Sequence, residues 1–188
     1  MKRRMWMGAV VAIGFSILAY GTSAYFTAEE KAHNVITTGN VDIDLIEKAD
    51  PDGDGVLEDF KDVTGVTPGT DVSKIVTVKN TGGQPAWVRI KLIKTITLEN
   101  GETEDIDESL VSYDINTTNW TEKDGYYYYN VELAPNAETE PLFTAVTFSE
   151  EMGNLYQNSQ TVIDVQAQAT QVANNGASVF DAAGWPVE

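Results

Sequence analysis

Ala86-Trp87-Val88-Arg89-Ile90-Lys91-Leu92-Ile93-Lys94-Thr95-Ile96-Thr97-Leu98 decides the fold class. Ala86, Val88, Ile90, Leu92, Ile96 and Leu98 share one parity, while Trp87, Arg89, Lys91, Thr95 and Thr97 take the other. A period of two is the mark of a half-buried strand, so this run predicts a long strand with an apolar inner face and a basic, wet outer face. Asn100-Gly101 then supplies a tight turn.

The same alternation recurs outward from it. Val41, Ile43 and Leu45 alternate with Asp42 and Asp44, and Val72 to Val78 is rich in β-branched residues and ends at Asn80-Thr81-Gly82-Gly83. Tyr126 to Leu133 reads as an aromatic strand, with two of the tyrosines Tyr126 to Tyr129 on each face. Pro141 to Phe148 is a further strand candidate, with Leu142, Thr144, Val146 and Phe148 on one parity. Thr161 to Val172 places Ile163, Val165, Ala167 and Ala169 inward against Asp164, Gln166, Gln168 and Thr170. Short helical turns are expected only within Glu102 to Leu110 and Ser149 to Tyr156. Seven or eight short strands separated by turn signals predict an all-β chain, a β-sandwich or barrel.

Length and composition bound the function. The chain has 188 residues with 12 Lys+Arg against 29 Asp+Glu, a net charge of −17. That charge argues against a nucleic-acid partner, since neutralising phosphates needs a basic face. The absence of cysteine excludes disulfides, thiolate metal sites and cysteine nucleophiles. The single histidine, His33, excludes any site needing two imidazoles from one chain.

Lys2, Arg3 and Arg4 precede a mostly apolar run from Trp6 to Tyr20 and then Gly21-Thr22-Ser23-Ala24. This order predicts a secretory signal peptide over residues 1–24, cleaved between Ala24 and Tyr25. The apolar run is short of the ~20 residues of a membrane span, and a signal anchor is the alternative. Cleavage would leave 164 residues carrying 9 basic and 29 acidic side chains. The organisation expected is the signal, an N-terminal segment over 25–39, a sandwich over 40–173 and a tail over 174–188. Val179, Phe180 and Trp185 of the tail could fold back onto the sandwich.

An ordered set of segments carries a family resemblance. It comprises Gly21-Thr22-Ser23-Ala24-Tyr25-Phe26-Thr27, then Asn34-Val35-Ile36-Thr37-Thr38-Gly39-Asn40-Val41-Asp42-Ile43-Asp44-Leu45. Thr67-Pro68-Gly69-Thr70-Asp71, Val78-Lys79-Asn80-Thr81-Gly82 and Ala86-Trp87-Val88-Arg89-Ile90 follow. This set resembles the TasA/camelysin family of exported proteins, over the signal, the strands to about Leu92 and loosely Val162 to Gln171. The resemblance implies processing by a dedicated SipW-type signal peptidase, a jelly-roll-like antiparallel sandwich, and a place in extracellular fibres or the biofilm matrix. It also implies assembly by donor-strand exchange, with the segment from Tyr25 to Gly39 given to the next subunit and Tyr25, Phe26, Val35 and Ile36 as its apolar residues. The partners implied are other copies of the chain and other matrix or cell-surface components. Head-to-tail donation does not close, so it builds filaments. Cleavage after Ala24 would be the switch that frees the strand.

Asp50-Pro51-Asp52-Gly53-Asp54-Gly55-Val56-Leu57-Glu58 has the opening of a calcium loop. Asp50, Asp52 and Asp54 stand at alternate positions, Gly55 follows for the turn, and the Val56 carbonyl and Glu58 take the next ligand positions. The twelfth position is Lys61 rather than a bidentate Glu, so any calcium loop here departs from the EF-hand, with Asp59 or Asp62 as substitutes. A merely soluble acidic loop is the other reading.

The camelysin branch implies a metallo-endopeptidase alternative. The chain has no H-E-x-x-H, and a hydrolytic zinc commonly takes two or three histidines. No catalytic residues are assigned. A monomeric surface adhesin is the third expectation.

Overall fold

The computed structural model describes residues 26–30, 34–38, 41–101 and 106–186. The expected signal peptide over residues 1–24, the expected cut between Ala24 and Tyr25, and His33 lie outside the described residues. No helix among the described residues is long and apolar enough to cross a membrane.

Thirteen strands are described in chain order: β1 (Phe26–Glu30), β2 (Asn34–Thr38), β3 (Ile43–Ala49), β4 (Glu58–Asp59), β5 (Val63–Val66), β6 (Asp71–Ser73), β7 (Ile75–Asn80), β8 (Ala86–Thr97), β9 (Val111–Tyr113), β10 (Trp120–Lys123), β11 (Tyr126–Tyr129), β12 (Ala145–Phe148) and β13 (Gln160–Gln171). Only single 3-10 turns, Glu108–Leu110 and Asn154–Tyr156, interrupt them where short helices were expected. The chain is an all-β sandwich.

The larger sheet runs β10-β11-β8-β13-β1-β5, with β2 also on β13. Its spine is the antiparallel pairing of β8 with β13 along twelve residues, from Gln160↔Thr97 to Gln171↔Ala86. Facing it are two three-stranded sheets, β4-β3-β7 and β6-β12-β9. The irregular run 137–144 stitches these two together. Asn80 and Val76 donate to the carbonyls of Ala137 and Phe143, and Leu142 donates back to Val76.

The core lies between the layers, built from the predicted inner parities. Val76 and Val78 of β7, Val88 and Ile90 of β8, and Ala167 and Ala169 of β13 are fully enclosed. Phe143, Phe148, Leu142 and Trp120 close the ends of the same cluster. Each such aliphatic or aromatic side chain contributes about 1.5–3 kcal/mol by leaving water. Trp120 also donates its indole N–H to the Glu140 carbonyl at 3.0 Å, so its one polar atom is satisfied.

Two departures from the simple strand pattern have identifiable causes. The run 72–78 divides at Lys74, whose ammonium is buried 2.7 Å from Glu47 Oε1 and 3.8 Å from the Phe60 ring centre. The outer face of β8, expected to be basic and wet, is covered at one end. Trp87 is 6% and Arg89 9% exposed, because residues beyond β13 fold back over them. Val179 is enclosed with Trp87 and Tyr128, and Trp185 and Ala182 pack on the same cluster, while Phe180 stays exposed. Asn175 fixes this strap. Its side chain bonds Thr170, Gln171 and Ala183, and its carbonyl accepts the Trp87 indole N–H.

Candidate functional site

The N-terminal segment lies inside the larger sheet. β1 runs parallel to β13 with Thr27↔Gln160 through Glu30↔Ile163. β2 continues along the same strand, also parallel, with Asn34↔Gln166 through Thr38↔Thr170. Among the described ladders these two pairings are parallel and the others antiparallel. Nine residues of the segment thus tile the β13 edge that β8 leaves free. Backbone ladders of this kind give affinity, while alternating side chains give specificity.

The anchors divide accordingly. Val35, opposite Ala167, packs against the main core. Its neighbour Ile36, opposite Gln168, is 41% exposed and faces the other way. Ala167 and Ala169 are the small side chains of β13 beneath this stretch, and they leave room for a neighbour such as Val35. Phe26 begins β1 opposite Val66 of β5, and Tyr25 lies outside the described residues. Sequence reading identified the candidate donor but not its seat. The β13 edge carries no local signal for pairing with a segment over 120 residues before it, and β5 carries none for pairing with β1, 35–40 residues before it.

The acidic loop joins β3 to β4. Carboxylate oxygens of Asp50, Asp52 and Asp54 lie within 4.8 Å of one another. The loop is held by its own backbone. Gly55 N–H donates to Asp50 Oδ2 at 3.1 Å and Val56 N–H to Asp54 Oδ1 at 2.7 Å. Gly53 and Gly55 have φ of +72° and +84°, a conformation glycine adopts without cost. At its base, the Asp50 N–H donates to Ser73 Oγ at 2.9 Å. Asp50 Oδ1 is enclosed without a hydrogen-bond partner. Three converging oxygens with one unspent acceptor suit a hard divalent cation. Of the other expected ligands, Glu58 stands apart from this trio in β4, 3.8 Å from Lys61. The Val56 side chain is exposed.

The metallo-endopeptidase alternative has no His or Cys to draw on among the described residues. Glu150 and Glu151 are exposed, whereas the Asp114 carboxylate has several partners. It accepts from the N–H groups of Thr144 and Ala145 at 2.8 and 2.7 Å and from the Thr144 hydroxyl. Partial burial pushes its pKa up, and these hydrogen bonds outweigh that and hold it below the usual carboxylate value.

Two polar clusters were not singled out from sequence. Lys94 sits on the inward parity of β8, and its ammonium reaches the carbonyls of Glu108 and Val111. Burial lowers its pKa, against the opposing pull of Glu108 and Asp107. Nearby, burial pushes the Tyr113 phenol well above its ordinary range. On the opposite face, the Arg89 guanidinium lies 3.8 Å from the Tyr126 ring centre and 4.5 Å from that of Trp185. It donates to Gln168 Oε1 at 2.8 Å and to the Tyr128 hydroxyl at 3.1 Å. The outer tyrosine pair, Tyr126 and Tyr128, is therefore occupied by the chain's own arginine and tail rather than presented to solvent. Alternation of Trp87, Arg89 and Tyr126, Tyr128 was the available signal; its cover lay in the distant tail.

Compared with known proteins, the chain matches no family model, no curated protein and no solved structure.

Proposed function

We propose that the chain is a secreted structural protein that assembles head to tail, each copy giving its N-terminal segment to the sheet of the next, as a subunit of extracellular fibres or matrix. One observation carries this reading: β1 and β2 lie successively and in parallel along a single strand, β13. A segment held by a ladder to one edge can be replaced by the identical segment of a second copy with every backbone pairing kept. Because the donor leaves one body and enters another, the arrangement propagates instead of closing. The resemblance to the TasA/camelysin family, carried by the residues quoted above, supports the same reading and the processing by a signal peptidase that would free Tyr25.

Calcium fits as an accessory. Asp50, Asp52 and Asp54 would hold it through carboxylate oxygens, and it would offset part of the net charge of −20 (9 basic against 29 acidic) that makes copies beginning at Tyr25 repel.

The test is protein beginning at Tyr25 beside protein beginning at Asn40, each purified and followed by size-exclusion chromatography and negative-stain microscopy, with calcium and with chelator. Filaments from the longer chain alone are expected. Monomers from both under all conditions, or filaments from both, would overturn strand donation. Monomers from both would favour the adhesin reading.

A further inference from the structure

β1 is not at the rim of its sheet. One edge pairs with β13 and the other with β5, antiparallel, through Phe26↔Val66, Thr27↔Thr64 and Ala28↔Val63. β2 pairs with β13 alone among the described ladders. The N-terminal segment is thus gripped on two edges over its first half and on one edge over its second.

β5 is held differently. Among the described residues β1 is its one strand partner. It has four residues; Val66 is buried and Val63 half-buried against the core, while Thr64 and Gly65 are exposed. It closes an arm that leaves β3 at Asp50 and returns through β4, itself only two residues long. A strand paired on both edges must break two ladders to leave, whereas β5 breaks one. The order of opening follows: β5 first, β1 second.

We infer that β5 is a latch over the N-terminal strand, so that the segment leaves its own sheet, or enters that of a second copy of this chain, only after β5 has swung away. Its use in assembly rests on the strand-exchange reading; the latch itself is a property of the single molecule. An incoming segment is then clamped between β13 and β5 rather than laid on an open edge.

Hydrogen–deuterium exchange on monomeric protein beginning at Tyr25 tests the latch without reference to assembly. Amides of residues 26–30 are expected to exchange no faster than those of 63–66. Thr64→Pro, whose ring fixes φ near −65° and takes the backbone N–H from the middle of this short strand, is expected to speed exchange across 26–30 by about tenfold while leaving β8 unchanged. Exchange of 26–30 while 63–66 stays protected, or no acceleration in the variant, would overturn the latch. A second measurement uses the absence of native cysteine. Opposed antiparallel Cα atoms lie about 4.5–5.5 Å apart, within disulfide reach, so Ala28→Cys with Val63→Cys can lock the pair. Oxidised protein is expected to stay monomeric and reduced protein to polymerise. Equal polymerisation of the two would overturn the latch and the strand-exchange reading together, because the bridge also ties the donor's first strand to its own chain; the exchange measurement above is the one whose failure removes the latch alone. Latched exchange behaviour in a chain that forms no filament under any condition would leave the latch standing and remove the strand-exchange reading.

Discussion

Asn80→Ala is the substitution whose cost can be worked most fully from the structure. Asn80 is fully buried at the end of β7. Its amide donates to the carbonyls of Gln84 at 2.8 Å and Leu133 at 2.9 Å, and its side-chain oxygen accepts from the Gly82 N–H at 2.9 Å. It thereby ties the turn between β7 and β8 to the run at 133, where the two layers of the sandwich meet. Three hydrogen bonds at about 1 kcal/mol each set the scale. Two of the abandoned groups keep other partners. Leu133 O still accepts from Ala86 N, and Gly82 N still donates to Asp42 O. The third, the Gln84 carbonyl, belongs to an exposed residue and can turn to water, so the cost is that of the three bonds themselves. The expected loss is about 2–3 kcal/mol, read as a lower urea midpoint at unchanged m-value. A loss below about 0.5 kcal/mol, the size of a typical surface substitution, would refute this account of how the layers are joined.

Three further outcomes are expected. If Asp50, Asp52 and Asp54 hold calcium with a Kd of about 1 mM, then about 5 mM calcium adds about 1 kcal/mol and raises Tm by about 3 °C. Asp52→Asn with Asp54→Asn should abolish that shift, and an equal shift in the variant would remove the loop as the site. Asp114 has a folded pKa below its unfolded value of about 3.9. Its contribution is therefore present above about pH 4 and is lost as pH falls through the lower folded value. Asp114→Asn should flatten the acid limb of a stability–pH curve below about pH 4; an unchanged limb would contradict the assignment. Lys74→Met alone should cost about 3–5 kcal/mol in chemical denaturation by removing the cation 2.7 Å from the buried Glu47 carboxylate, while Lys74→Met with Glu47→Leu should recover most of it. A double variant as unstable as the single one would show that the pair is not the source.

The spine of the fold was legible because period-two alternation is local. The strand expected over Thr161 to Val172 is found at Gln160–Gln171, and the one beginning at Ala86 runs to Thr97. The same rule misread the outer face of β8, since alternation reports which residues share a face and not what comes to lie on it. Trp87 and Arg89 are covered by Val179 and Trp185, nearly a hundred residues later. Lys74 and Lys94 occupy interior positions for related reasons: Glu47 and the carbonyls of Glu108 and Val111, which satisfy them, are distant in sequence. At the candidate site, the spacing of Asp50, Asp52 and Asp54 was enough to bring their oxygens together, because the turn that does so lies within the loop. The parallel seat of Val35 beside Ala167 was not legible, because neither strand encodes its partner or direction.

The central claim is that the segment seated on β13 belongs, in the assembled state, to a neighbouring copy. Val35→Cys in one isotopically labelled copy and Ala167→Cys in an unlabelled copy place one thiol on each side of that register pair, in a chain with no cysteine of its own. The two are mixed, assembled and oxidised, and the cross-linked peptides are read by mass spectrometry. A disulfide joining labelled to unlabelled chains at these two positions is the result predicted. Assembled material in which that cross-link never forms, while Val35→Cys with Ala167→Cys in one chain closes readily on itself, would contradict it.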